Sequence, residues 1–115
     1  MAATIYHNPR CSKSRQTLAL LEENGVKPDI ILYLENPPSA ATLKELVKKL
    51  GLKSAREMMR VKETLYTALN LAEVTAESAL IDAMAKHPIL IERPIVVNGA
   101  KAAIGRPPEA ALRII

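Results

Sequence analysis

The five consecutive apolar residues Ile30-Ile31-Leu32-Tyr33-Leu34 constrain the fold more than any other stretch of this chain. A continuous run with β-branched members is the pattern of a strand buried on both faces, as in a parallel sheet. A parallel neighbour requires a crossover, and the preceding residues supply one. Thr4 to His7 reads as a short strand, with Ile5 between β-favouring Thr4 and Tyr6, and Asn8-Pro9 ends it. A helix then covers about Cys11 to Asn24, with Leu18 and Leu21 on one face, Gly25 as its cap and Pro28 beyond. Strand, helix and strand make a βαβ unit.

The middle of the chain reads as helical. Ser39 caps a helix whose Leu43, Leu46, Val47 and Leu50 share a face, and Gly51 closes it. Ser54 with Glu57 forms a capping box for a short helix ending near Met59. Glu63 to Leu69 is a weaker helical piece. Thr75 is the expected cap of a further helix that Pro88 stops. Ile95-Val96-Val97, Asn98-Gly99 and Lys101 to Ile104 then read as a hairpin with a type I′ turn at Asn-Gly. A last helix starts with proline and glutamate after Gly105-Arg106-Pro107-Pro108-Glu109. The expected class is α/β: a βαβ…ββα sheet with an inserted helical region, in one domain spanning residues 1–115.

Hydrophobic residues make up 49% of the chain, but Phe and Trp are absent, so Leu, Ile, Val, Ala and Met must form the core. No run approaches the ~18 apolar residues of a membrane span, and the start of the chain is unlike a signal peptide. One cysteine excludes an internal disulfide framework and fits a reducing cytoplasm. The net charge of +4 is small, and three tyrosines without a stacking pattern argue against direct nucleic-acid binding.

Charge distribution says more than its sum. Arg10, Lys13 and Arg15 fall within the first 21 residues, and the first carboxylate is Glu22. This positive field surrounds Cys11, which lies just past a strand and opens a helix. Unpaired N–H groups and the helix dipole favour an anion there. Helix-start cysteines with cationic neighbours have pKa values of about 3.5–7.5 rather than about 8.5. A lone cysteine can also be a small buried apolar residue. Ser14 completes a C-x-x-S arrangement, able to donate to a thiolate but not to form a disulfide, or it is an ordinary first-turn residue. The C-x5-R phosphatase loop is excluded, since Thr17 stands six after Cys11. Cys11 with His7 and His87 matches no zinc spacing, so no metal is expected.

The segment from His7-Asn8-Pro9-Arg10-Cys11-Ser12-Lys13-Ser14 through Arg15-Gln16-Thr17-Leu18 resembles the active-site segment of the glutaredoxin-coupled arsenate reductase family. Further ordered matches are Ile31 to Pro38, Met59-Arg60, His87 to Val97 and Gly105 to Glu109, so the resemblance spans essentially the whole chain. It implies a thioredoxin-like fold and reduction of arsenate to arsenite with glutathione as co-substrate and glutaredoxin as partner. It implies Cys11 as nucleophile, His7 and Ser14 as groups that hold it ionised, and Arg60, Arg93 and Arg106 as oxyanion ligands. A planar guanidinium meets an oxyanion in bidentate fashion, which suits that role. Without the resemblance each arginine reads as a solvated surface charge. It also implies a cis-proline at Arg93-Pro94, before the hairpin.

Two other functions share this fold. Spx-type regulators bind RNA polymerase without reducing arsenate, and many of them use a C-x-x-C switch that Ser14 removes here. A general glutathione-dependent thiol reductase acting on mixed disulfides is the third reading.

Overall fold

In the computed structural model, which describes residues 3–115, the chain builds two units: residues up to Asn36 together with Arg93–Ile115, and Pro37–Glu92. The first unit holds a four-stranded mixed sheet in the order β2-β1-β3-β4. Strand β1 (Thr4–His7) pairs in parallel with β2 (Asp29–Leu32) and antiparallel with β3 (Ile95–Asn98), and β3 pairs antiparallel with β4 (Lys101–Ile104). Helix α1 (Ser12–Glu23) is the crossover.

Strand parity organises this unit. Residues two apart on β1 share a face, so Ile5 and His7 point the same way, and both are buried. Ile5 packs in the core cluster with Leu21, Val96 and Ala111, flanked by Leu18, Val26, Leu112 and Ile114. Fully burying a side chain such as Ile5 or Leu21 contributes about 1.5–3 kcal/mol. The buried stripe of α1 is Ser14, Thr17 and Leu21, so two hydroxyl residues lead the face on which Leu18 and Leu21 were expected.

Three local expectations change. Strand β2 is parallel to β1 as expected, but it is the sheet's edge, so Ile30 is 49% exposed rather than buried on both faces. Tyr33 and Leu34 lie past it in a turn, closed by Glu35 and Asn36 N–H groups on the Leu32 carbonyl. The hairpin turn is Gly99-Ala100, because Asn98 pairs with Lys101 inside the ladder. Gly99 has φ +62° and Ala100 does not share a positive φ, so glycine takes the first turn position, as a type II′ turn requires. The last element, Pro108–Ile114, is a 3-10 helix rather than an α-helix. Arg93–Pro94 is cis, and so is Arg106–Pro107.

The second unit holds α2 (Ala40–Leu50), α3 (Thr64–Ala68) and α4 (Glu77–Lys86), with 3-10 turns at Ala55–Met58, Leu71–Glu73 and Pro88–Leu90. Ser39 caps α2 by accepting from Thr42 N–H, and Gly51 ends it at φ +70°. The Ser54/Glu57 capping box forms as expected, although the element it opens is 3-10. Ala76, not Thr75, is the N-cap of α4. Glu77 in its first turn reaches across to accept from Ser54 Oγ (2.5 Å) and Ala55 N–H (2.8 Å), which ties two elements together. The Arg56 guanidinium donates to Tyr66 Oη and to the Leu71 and Val74 carbonyls.

Candidate active site

Cys11 is the N-cap of α1, with extended φ and ψ of −94° and 123°. The turn that delivers it is closed three times. Cys11 N–H donates to the Asn8 carbonyl (3.0 Å), Arg10 N–H donates to Asn8 Oδ1 (3.0 Å), and Arg15 Nη1 donates to the Pro9 carbonyl (2.7 Å). Both loop carbonyls are therefore consumed, and the N–H dipoles of Ser14 and Lys13 at the start of α1 favour the charged form of the sulfur. No acidic residue stands in the first turn of α1.

Burial alone would push the Cys11 thiol up. The Ser14 N–H, the positive charge of Arg93 and the Lys13 N–H outweigh it, and the thiol is held below its ordinary range. Cys11 is 9% exposed, so these groups act on an enclosed thiol and favour its ionisation.

Two arginines come to that sulfur from the other half of the sheet. Strand β3 runs antiparallel to β1, so its first residues lie at the end where β1 finishes, and β4 returns to the same end. Arg93 precedes β3 and Arg106 follows β4. Arg106 Nη2 lies 3.7 Å from Cys11 Sγ, and its Nε donates to the Arg93 carbonyl at 2.8 Å. Arg93 hydrogen-bonds the sulfur as well.

Gly105 lets this happen. Its N–H donates to the Pro94 carbonyl (2.9 Å), and a Cβ there would stand 2.5 Å from Thr17 Oγ1 and 2.8 Å from Pro94 Cγ. Thr17 Oγ1 donates to the Lys13 carbonyl (2.8 Å). Only a glycine allows the segment leading to Arg106 to lie this close to α1.

His7 and Ser14 meet at 2.6 Å between Nδ1 and Oγ. Strand parity puts the ring on the α1 side, where Ser14 is fully buried. Ser14 Oγ also accepts from Asn8 N–H at 3.0 Å. With that lone pair used, the hydroxyl proton is satisfied when it points at Nδ1, which leaves the imidazole proton on Nε2. Burial and then the Arg15 charge hold His7 below its ordinary value of 6.5, which keeps the ring neutral as this assignment needs. The Ser14 side chain thus serves His7 and Asn8, and its backbone N–H serves the sulfur.

Cys11, His7, Ser14, Arg93 and Arg106 are therefore brought together in the first unit. Arg60 belongs to the second, where its N–H donates to the Leu90 carbonyl and its guanidinium pairs with Glu63 at 2.9 Å. Asn8, Arg15, Thr17 and Gly105 emerge as residues that shape the site. Asn8 and Gly105 were legible only as chain punctuation, because their partners lie elsewhere in the fold. Among the described residues no group of three or more His, Cys, Asp and Glu could hold a metal ion, and no helix is long and apolar enough to cross a membrane. A thiol whose ionisation is favoured and which faces two guanidinium groups has the arrangement for attack, as the thiolate, on the central atom of an oxyanion whose oxygens those groups hold.

The ArsC family model matches residues 6–114. An arsenate reductase of Haemophilus influenzae is 53% identical, covering 100% of both chains. "Uncharacterized protein YfgD" of Escherichia coli is 63% identical over 96% of this chain and 94% of that protein. Among solved structures, an arsenate reductase from Vibrio cholerae superposes with a TM-score of 0.97 at 56% identity, covering 100% of this chain and 98% of that one. The mixed sheet with its helices is the expected thioredoxin-like α/β fold.

Proposed function

Given that the chain belongs to the ArsC family, we propose that it is an arsenate reductase that uses Cys11 as its nucleophile and draws electrons from glutathione and glutaredoxin. The observation that supports this reading is the placement of the Arg106 guanidinium 3.7 Å from the sulfur of Cys11 at the N-cap position of α1, with Arg93 on the same sulfur. A group built to hold oxygens stands beside the sulfur, where the oxygens of arsenate lie when that sulfur attacks its arsenic.

The Cys11 thiolate attacks arsenic(V) and forms an S–As bond as one oxygen leaves as water. Glutathione adds to arsenic through its sulfur and displaces a second oxygen as water. The glutaredoxin thiolate then attacks the glutathione sulfur. An S–S bond forms, the S–As bond breaks, and its electron pair stays on arsenic, now arsenic(III). Water releases arsenite and restores Cys11. Two thiols become one disulfide for each arsenate, so the electrons balance. Arg93 and Arg106 hold the remaining oxygens, and neutral His7 with Ser14 braces the turn that presents the sulfur. The family resemblance assigns Arg60 to the oxyanion as well. The proposal treats residues 1–115 as one functional domain in a cytoplasmic protein, where glutathione keeps the lone cysteine reduced.

Arsenite formation from arsenate should require both glutathione and glutaredoxin and should vanish in Cys11→Ser. A normal rate in that variant, or no turnover with both partners present, overturns the proposal. Arg60→Met should raise the KM for arsenate, and an unchanged KM removes Arg60 from the oxyanion set.

A further inference from the structure

The order β2-β1-β3-β4 places Cys11, which follows β1, between two flanks at one end of the sheet. One flank, from β3 and β4, carries Arg93 and Arg106. The other, past β2, is a cleft of about 250 Å³ lined by His7, Pro9, Arg10, Leu32, Leu34 and Glu35. Its chemistry differs from that of the arginine flank. Leu32, Leu34 and Pro9 give it apolar walls, and Leu34 is 42% exposed there. Arg10 and Glu35 bring one charge of each sign. Both side chains are exposed, and neither is engaged by another described residue.

A site for a tetrahedral oxyanion has no use for Glu35 or for leucines. A cleft with apolar walls and two opposite, unspent charges suits a short peptide with an ammonium at one end, a carboxylate at the other and methylene groups between them. Its volume sits just below the ~300–1,000 Å³ of small-molecule sites, the scale of a short peptide rather than of a folded partner. The reaction needs such a ligand. Cys11 is the chain's only cysteine, so the next sulfur comes from outside, and the arginine flank is already taken by the oxyanion.

We propose that this cleft seats the small peptide thiol of the reaction, with its C-terminal carboxylate on Arg10, its N-terminal ammonium on Glu35 and its methylene groups over Leu32, Leu34 and Pro9. The proposal rests on the thiol-dependent reductase reading above. It adds that the two reactants approach Cys11 from opposite flanks, so the thiol binds without displacing the oxyanion.

The probe is S-methylglutathione, which binds but cannot react, titrated into the ¹⁵N-labelled full chain. Amide shifts should centre on Arg10 and on Leu32 to Glu35. Arg10→Glu and Glu35→Lys should each weaken binding by about tenfold, with partial recovery in the charge-swapped double variant. An N-acetylated probe should bind unaltered protein more weakly, which tests Glu35 without any substitution. In turnover, either single variant should raise the KM for glutathione and leave the KM for arsenate unchanged. Shifts confined to the Arg93 and Arg106 flank, or probe affinity in both single variants equal to that of the unaltered chain, overturn the inference. Probe binding at the cleft without any arsenate turnover overturns the reductase reading and leaves the binding site standing. Arsenate turnover with an unchanged glutathione KM in both single variants does the reverse.

Discussion

Ser14 Oγ lies 2.6 Å from His7 Nδ1 and 3.0 Å from Asn8 N–H, so one hydroxyl joins the last residue of β1, the turn after it and the first turn of α1. Ser14→Ala removes a buried partner from both groups at once. Leaving such a group unpaired costs about 1–3 kcal/mol, and urea denaturation should show a loss of that size. A loss below about 0.5 kcal/mol would mean that the Asn8 N–H and the ring are satisfied elsewhere.

The neutral state of His7 makes stability depend on pH. Its folded pKa is below 6.5, from burial first and the Arg15 charge second. Between 6.5 and that lower value the unfolded chain holds the proton and the folded chain does not. This contribution is therefore complete above pH 6.5 and is lost as pH falls through the folded pKa. Urea midpoints of the wild-type chain should drop more steeply on acidification than those of His7→Gln. Parallel slopes would contradict a depressed pKa.

Arg15 acts on that ring from the surface while it holds the Pro9 carbonyl at 2.7 Å. Arg15→Met should raise the His7 pKa, read from its C2 proton by NMR, but not as far as 6.5, because burial remains. Freeing the Pro9 carbonyl should also lower kcat for arsenate by a few-fold, a positioning effect rather than a loss of chemistry. An unchanged His7 titration would remove Arg15 from this role.

Gly105→Ala should be the most damaging single methyl in the first unit. The new Cβ would meet Thr17 Oγ1 and Pro94 Cγ below 3 Å, and such overpacking costs about 1–3 kcal/mol. Arg106 follows directly, so the KM for arsenate should rise. Adding Thr17→Ala should recover part of the stability, since only the Pro94 contact would remain. No recovery would place the strain elsewhere.

Ultraviolet titration of Cys11 should give a thiolate midpoint below the ordinary thiol range, because the Ser14 and Lys13 N–H groups and Arg93 outweigh the upward push of burial. Arg93→Met should move that midpoint up. A midpoint that ignores Arg93 would leave the helix end as the sole cause.

What was legible in the sequence was mainly local. Ser39, Gly51 and the Ser54/Glu57 capping box act within a turn of themselves, and each does what its spacing implies. The strand spans near Thr4–His7 and Lys101–Ile104 were also readable, because β-propensity and turn residues bracket them. The exposure of Ile30 was not, since whether a strand is central or an edge depends on neighbours far along the chain. The same reason hid Gly105. Its neighbour Thr17 is 88 residues away, and nothing in a Gly-Arg-Pro-Pro string announces that a helix will touch it. For Ser14 the residue was legible but its partner was not, because strand parity, not sequence spacing, turned His7 toward the helix.

The hydrogen bond from Arg106 Nε to the Arg93 carbonyl has a thermodynamic consequence. Immobilising a flexible side chain on binding costs about 0.5–1.5 kcal/mol, most of it entropy. Here folding has already restricted that side chain before any anion arrives. Calorimetry of a tetrahedral oxyanion binding to the resting protein should therefore show a smaller entropic penalty than binding to a chain in which that tether has been cut.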